Sequence, residues 1–257
     1  GQQRSTALLW EVNPGFATVT ISDPADPEAV TSPERTVFQA FDLIGLNPID
    51  ASNEPFSNGW WLKYDQITAI QLYNGTAWVT VDAPTGGWIN ASGRFVGYTL
   101  TAAQRASTIG VRIVLAENTA ARNAAQQVGP AFDPYAPAPG SGVGASSSVR
   151  RFDLTWQIRT KTRVGGDFVT ADLVYNATDP GVVDNTVRLD ATRPDNSTAT
   201  DTGDDKITIL EQPSGVDVGK TVTPAQLLVP PANAPTASYP TARFVLTAKN
   251  TSTAAAS

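Results

Sequence analysis

The stretch Arg150–Thr160, RRFDLTWQIRT, alternates apolar and polar side chains along most of its length. Its apolar residues lie two positions apart, at Phe152, Leu154, Trp156 and Ile158. Because successive side chains of a β-strand point to opposite faces, this spacing places all four on one face. The stretch therefore predicts a strand with one face against a hydrophobic core.

Segments of the same kind recur on both sides of this stretch. They are short, rich in β-branched and apolar residues, and bounded by turn residues, which is typical of strands. Before it they are Thr6–Val12, Phe16–Ile21, Thr36–Leu43, Ile67–Tyr73, Ala77–Val81, Phe95–Leu100 and Thr108–Leu115; after it they are Phe168–Tyr175, Val182–Leu189, Lys206–Leu210, Val216–Val222 and Phe244–Ala248. Only Ala102–Ser107 and Glu117–Gln127 indicate short helices. The pattern predicts an all-β fold of two immunoglobulin-like or jelly-roll β-sandwich lobes with little helix.

Two turn signals indicate how neighbouring strands connect. Asn74-Gly75 separates two strand segments and is the strongest short signal for a β-hairpin. Asn13-Pro14-Gly15 separates the first two segments of the chain. Both are predicted to be hairpin turns.

Composition divides the chain into regions. Residues 130–148 are dominated by proline, glycine, serine and alanine and carry no periodic apolar pattern, so they predict a linker or long surface loop. This places one sandwich region in residues 1–129 and a second in residues 149–212. Residues 213–257 carry two further strand segments around a proline-rich stretch.

The absence of three residue types narrows the chemistry. The chain contains no cysteine, no methionine and no histidine. It therefore has no thiol nucleophile, no disulfide, no imidazole ligand and no Ser-His-Asp triad. We expect no enzyme activity and no cofactor. Because methionine and cysteine are the residues most easily oxidised, their absence favours an extracellular location.

Charge and hydropathy argue against nucleic-acid binding and against a membrane-spanning helix. The net charge is -6, which is a poor match for nucleic acid. No apolar run reaches the roughly 18 residues that a membrane helix requires. We expect neither nucleic-acid binding nor a membrane span in this chain.

Three segments resemble a known family: Val218–Pro224 (VGKTVTP), Arg243–Ser252 (RFVLTAKNTS) and Val19–Pro24 (VTISDP). Together they are similar to the conserved repeat domain of unknown function found in large bacterial cell-surface proteins. The resemblance implies an immunoglobulin-like sandwich that occurs in tandem arrays. In that family the segment ending in Lys-Thr-x-x-Pro opens a module. The resemblance thus implies that residues 213–257 start a repeat module, which residues 1–24 of the same or the next copy complete.

The resemblance also implies a candidate cross-link. Some bacterial surface proteins form an isopeptide bond between a buried lysine and an asparagine beside a protonated carboxyl group. By family position the candidates are Lys220, Asn250 and Asp23. Burial would keep the amine neutral and the acid protonated, as the reaction requires. An exposed lysine and a turn asparagine are the alternative interpretation.

Two further groups of residues are weaker candidates for ligand binding. Trp60, Trp61 and Trp88 could stack on sugar rings, although buried tryptophans more often anchor a core. Asp201, Asp204 and Asp205 lie close together in DTGDDK, and oxygen-rich loops can hold calcium. Solvated carboxylates in a turn are the default interpretation of the second group.

These observations lead to one expected function and one alternative. The expected function is that of a structural module of an extracellular bacterial surface fibre, stalk or adhesin. Its partners would be further copies of itself or adjacent repeats, joined by strand complementation. The alternative is a carbohydrate-binding or adhesive module whose partner is a surface glycan.

Overall fold

The structure is a computed structural model that describes residues 2–11, 15–29, 33–49, 64–130, 132–134, 136–144, 149–211, 216–223 and 243–250. The chain divides into two compact units, Gly1–Ile209 and Leu210–Ser257. Within the described ranges, no helix has the length and apolar character needed to span a membrane.

Antiparallel strands are the main regular elements of the described chain. In order they are β1 (Gln3–Glu11), β2 (Thr18–Asp23), β3 (Phe41–Leu46), β4 (Asp65–Tyr73), β5 (Trp78–Thr80), β6 (Tyr98–Thr99), β7 (Gly110–Glu117), β8 (Val149–Ile158), β9 (Val182–Thr192), β10 (Thr198–Thr208), β11 (Val216–Thr223) and β12 (Arg243–Asn250). Two short α-helices, α1 (Ala102–Ser107) and α2 (Thr119–Ala125), and two 3₁₀ turns, Pro33–Arg35 and Val37–Gln39, complete the assigned elements. The predicted all-β sandwich fold with little helix is confirmed.

The first unit consists of two sheets packed around one core. One sheet has the order β1-β8-β3-β6, and the other has the order β10-β9-β2-β7-β4-β5. Buried apolar residues of both sheets belong to a single cluster, with Leu43 and Trp156 from the first sheet and Val19, Ile70 and Leu115 from the second. Each of these five side chains is fully buried. This arrangement is a β-sandwich.

Strand β8 carries the stretch that predicted the fold, and its alternation is confirmed. Phe152, Leu154 and Trp156 are all fully buried on the core side. Strand β8 pairs with β1 on one side and with β3 on the other.

The prediction that residues 130–148 separate two sandwiches is therefore wrong. The strands on both sides of that segment share the same sheets and the same core. The composition of the segment indicates only that it forms no strand of its own. It does not indicate which strands pair across the segment, because pairing between distant strands leaves no local signature. The division between the two units lies instead after Ile209.

The two predicted hairpins have opposite outcomes. The Asn74-Gly75 hairpin is confirmed: β4 pairs with β5, with Tyr73 opposite Trp78. Gly75 has a φ of 90°, which favours glycine, and the Asn74 side chain accepts hydrogen bonds from two backbone N–H groups of the turn. The hairpin at residues 13–15 is wrong, because β1 and β2 belong to different sheets.

Other differences concern single elements. The predicted strand Phe168–Tyr175 contains only an isolated bridge between Lys161 and Phe168. Conversely, DTGDDK lies within β10 rather than in a loop. The predicted helices are confirmed: α1 has the predicted bounds, and α2 is two residues shorter at each end.

The second unit contains a two-stranded antiparallel sheet formed by β11 and β12. The predicted strands Val216–Val222 and Phe244–Ala248 are thus confirmed. Apolar side chains on this sheet are exposed, including Val218, Phe244 and Leu246 at 70%, 59% and 72%. The predicted proline-rich stretch Pro230–Pro240 lies outside the described residues.

Candidate functional site

A buried ionic cluster lies inside the first unit. Asp65, at the start of β4, accepts hydrogen bonds from Arg150 Nε and Nη2 at 2.9 and 2.8 Å and from Arg122 Nη2 at 3.3 Å. The side chains of all three residues are fully buried. The cluster connects both sheets and α2, because Arg150 lies on β8 and Arg122 on α2.

The same cluster fixes the chain at residues 140–144. Arg122 Nη2 donates to the carbonyl oxygen of Gly142 at 2.7 Å, and the N–H of Gly144 donates to Asp65 at 3.2 Å. Glu117 accepts hydrogen bonds from the N–H groups of Gly140 and Gly142 at 2.8 and 2.6 Å. The end of the predicted linker is thus attached to the sandwich by buried charges.

Burial and hydrogen bonding shift the pKa values of these charged groups in opposite directions. Burial would raise the pKa of Glu117, but the two glycine N–H groups and Arg122 hold it below its ordinary value. Burial lowers the pKa of the Arg150 guanidinium, and Asp65 opposes that shift. These contacts engage the charged groups of the cluster with one another and with the backbone, so we assign it a structural role.

Asp23 is the second buried carboxyl group of interest, and it is the predicted acid of the cross-link. It lies at the end of β2 and is 1% exposed. Its Oδ2 accepts a hydrogen bond from Asn185 Nδ2 on β9 at 3.1 Å. Burial raises the pKa of Asp23 to about 7, and the hydrogen bond from Asn185 only partly opposes this. The asparagine beside it is therefore Asn185, on which the sequence analysis placed no weight.

Stability should depend on pH through Asp23. Its pKa is about 7 in the folded state and lower in the unfolded chain, so the folded state binds more protons between these values. The free energy of unfolding is therefore expected to fall by about 1.4 kcal/mol per pH unit as pH rises from about 5 to about 6.5. Denaturant unfolding at a series of pH values measures this slope.

Asp23→Asn is the matched control, because it keeps the shape and removes the titration. The chain contains no histidine that would titrate in the same range. The variant should show a shallower slope and higher stability than the wild type above pH 7. An unchanged slope in the variant would contradict the assignment to Asp23.

Lys220 and Asn250 lie on the paired strands β11 and β12, but not opposite each other. Lys220 is opposite Leu246, and Asn250 is opposite Val216. The two positions are four residues apart, roughly 13 Å along the strands. The ammonium group of Lys220 lies over the Phe244 ring, 4.7 Å from its centroid. A direct amide bond between the two predicted residues does not fit this register.

The tryptophan candidates give no sugar platform in the described chain. Trp88 is only 6% exposed, and its ring lies against Phe95 and Tyr98 with centroids 6.3 and 5.8 Å away. It is therefore a core residue, and its prediction as a ligand-binding residue is wrong. Trp60 and Trp61 lie outside the described residues.

The acidic candidates Asp201, Asp204 and Asp205 are exposed on β10. Because strand side chains alternate, Asp204 points to the opposite face from the other two. The three carboxylates do not converge, so the calcium interpretation fails on geometry. No cluster of three potential metal ligands occurs in the part of the chain that the structure describes.

The buried arginine in the ionic cluster could have been found from the sequence. Arg150 lies two positions before Phe152, so the alternation that predicted the core also places Arg150 on the core side. A buried guanidinium needs a carboxylate partner. The identity of that partner was not predictable, because Asp65 lies 85 residues earlier in the chain.

Comparisons with known proteins add no family name to this description of the fold and the sites. No protein-family model matches the sequence, and a search of the curated proteins gives no match either. The class that the structure defines is an all-β protein with a two-sheet sandwich.

Proposed function

We propose that this chain is a structural module of an extracellular bacterial surface fibre, stalk or adhesin, in which repeats or subunits join by strand addition. The observation that carries the proposal is the β11–β12 sheet with its exposed apolar side chains. Two strands alone are marginally stable in water, and an added strand would cover such residues. In this role the chain is not an enzyme and needs no cofactor.

The site of strand addition differs from the one that the family order implied. The two edges of β2 are occupied by β7 and β9. Residues 1–24 therefore offer no free β2 edge to residues 213–257, so a shared sandwich with residues 1–24 would have to use β1. Addition has to use an end strand of a sheet, and β1 and β10 are both end strands.

Two further observations support a structural role. The first unit has one continuous core shared by two sheets, as a rigid spacer requires. Its buried charges hold a proline- and glycine-rich segment against the sandwich instead of lining an open cleft. The glycan-binding alternative is weakened because Trp88 belongs to the core.

Deletion of residues 213–257 tests the proposal. The first unit should keep its melting temperature, because its core is formed within residues 1–209. Assembly should be lost, because the exposed strands β11 and β12 are removed. Thermal unfolding and sedimentation velocity measure the two effects separately.

A truncation after Asn250 is the matched control, since it keeps both strands. It should assemble like the full chain. If the 213–257 deletion assembles as well as the control, strand addition through this segment is refuted.

A further inference from the structure

Within the described residues, strand β10 has one edge that is free of any paired strand. It is the end strand of its six-stranded sheet, and β9 pairs with it along all 11 residues of its other edge. Its side chains are almost all exposed. A long end strand with unpaired backbone groups is a template for a further strand.

Carboxylates protect this edge. Asp201 accepts a hydrogen bond from the N–H of Thr202 at 2.9 Å, and Asp205 accepts one from the N–H of Lys206 at 2.7 Å. Strand amides alternate between edges, so these two lie on the same edge. The amides that pair with β9 are engaged by backbone carbonyls, which places the two capped amides on the free edge. A second β10 docking here would bring aspartates against aspartates, which is unfavourable.

A groove runs beside this edge within the first unit. It lies between β10 and β1, the end strand of the other sheet, and has a volume of about 670 Å³. Its lining includes apolar residues of three strands, Leu8, Val187 and Ile207, and the acidic residues Asp204 and Asp205. Arg4 and Lys206 also line it, so the groove combines apolar surface with charges of both signs.

The β11–β12 hairpin has the complementary character. Its strands carry three basic residues, Lys220, Arg243 and Lys249, against one acidic residue, Asp217. Strand β10 carries three aspartates against one lysine. The three basic side chains are exposed, and so are the large apolar side chains Val218, Val222, Phe244, Val245 and Leu246 of the same strands. The hairpin therefore carries a net charge opposite to that of β10, together with exposed apolar side chains that can pack against the apolar part of the groove.

We propose that the free edge of β10 in one copy of this chain accepts the β11–β12 hairpin of a second copy. The inference rests on the proposed structural function and specifies its two contacting surfaces. The basic side chains draw the aspartates away from the edge amides, which then pair with the incoming strand. Because the two surfaces are different, the contact is heterologous, and it joins successive copies head to tail into an open filament or a closed ring.

Charge reversal of each surface tests this pairing in the full chain. The acceptor variant reverses three exposed charges on β10, and the hairpin variant reverses three on β11 and β12. The control variant replaces three exposed aspartates outside β10 with lysine, so that it has the same net charge as the acceptor variant. The acceptor variant is Asp201→Lys, Asp204→Lys and Asp205→Lys; the hairpin variant is Lys220→Glu, Arg243→Glu and Lys249→Glu; the control is Asp82→Lys, Asp172→Lys and Asp179→Lys. Thermal unfolding checks the fold, and sedimentation velocity measures assembly.

We expect each reversed variant alone to lose at least about tenfold in association constant, because like charges then meet at the contact. An equimolar mixture of the two should assemble again, since each variant's hairpin then meets an oppositely charged edge. The control variant should assemble like the wild type. Added salt should weaken wild-type assembly. Asp204→Lys alone should give a smaller loss in the same direction, and serves where the triple acceptor variant does not fold.

Three results would overturn the inference. Wild-type assembly by the acceptor variant, or failure of the two folded variants to assemble when mixed, rejects the β10 edge. Neither result rejects the proposed structural function, which the deletion of residues 213–257 tests separately. A wild-type chain that remains monomeric from micromolar to near-millimolar concentration rejects both this pairing and assembly of the isolated chain.

Discussion

Asp65→Ala is expected to lower the free energy of unfolding of the first unit by about 3–5 kcal/mol. The substitution leaves the fully buried guanidinium groups of Arg150 and Arg122 without the carboxylate between them. It also removes the acceptor of the Gly144 N–H. Denaturant unfolding of the variant measures the loss, and faster proteolysis within residues 136–144 is the expected local signature.

Two further variants separate the buried cluster from ion pairing in general. Asp190→Ala breaks a partly exposed pair with Arg188 and should cost much less, because water screens such pairs. Arg150→Met in the Asp65→Ala background should cost less than the sum of the single changes, since one of the two buried guanidinium charges that lost Asp65 is removed as well. An Asp65→Ala loss no larger than that of Asp190→Ala would show that the cluster does not stabilise the sandwich.

The alternation in β8 shows what the sequence could predict. A period of two with large apolar residues requires one buried face, whichever strands lie beside it. Strands β9, β11 and β12 were placed correctly by their β-branched and apolar composition between turn residues. The alternation also predicts which face Arg150 lies on. Residues an even number of positions apart in a strand share a face whatever their chemistry, so Arg150 lies on the same face as Phe152. What the pattern did not contain was the partner, because contacts across 85 residues leave no mark on local sequence.

The errors share a different physical origin. A turn signal reports that the chain reverses, but not whether the next strand pairs beside the first or crosses to the other sheet. After β1 the chain crosses, so the predicted hairpin at residues 13–15 does not form. Proline and glycine in residues 130–148 likewise indicate only that the segment forms no strand. That composition fits a linker between two domains, and it fits equally a segment that is held against one domain by a buried cluster.

The acidic stretch in β10 illustrates the limit of strand propensity. Aspartate and glycine are unfavourable in strands, so DTGDDK predicts a loop. An end strand tolerates them, because its side chains are exposed and its acidic groups discourage unwanted pairing. The aspartates that predicted a loop at DTGDDK are therefore the residues that give the edge of β10 its acidic charge.

Trp156→Ala is expected to cost about 3–5 kcal/mol in the free energy of unfolding of the first unit. The indole is fully buried and packs edge-on against Phe38, with ring centroids 5.2 Å apart. Its Nε1 donates to Thr6 Oγ1 of β1 at 2.9 Å. The substitution opens a cavity in the centre of the four-stranded sheet and leaves the neighbouring strands without their common contact.

Phe168→Ala and Trp156→Phe provide the comparison. Phe168 is 65% exposed, so removing it should change stability by less than about 1 kcal/mol. Trp156→Phe keeps an aromatic ring but loses the hydrogen bond to Thr6, and should fall between the wild type and Trp156→Ala. Because β8 pairs with β1 and β3, the loss should appear as one cooperative transition for the whole unit. Two separate transitions, with only residues 149–209 destabilised, would instead support independent lobes on either side of residues 130–148 and contradict a single shared core.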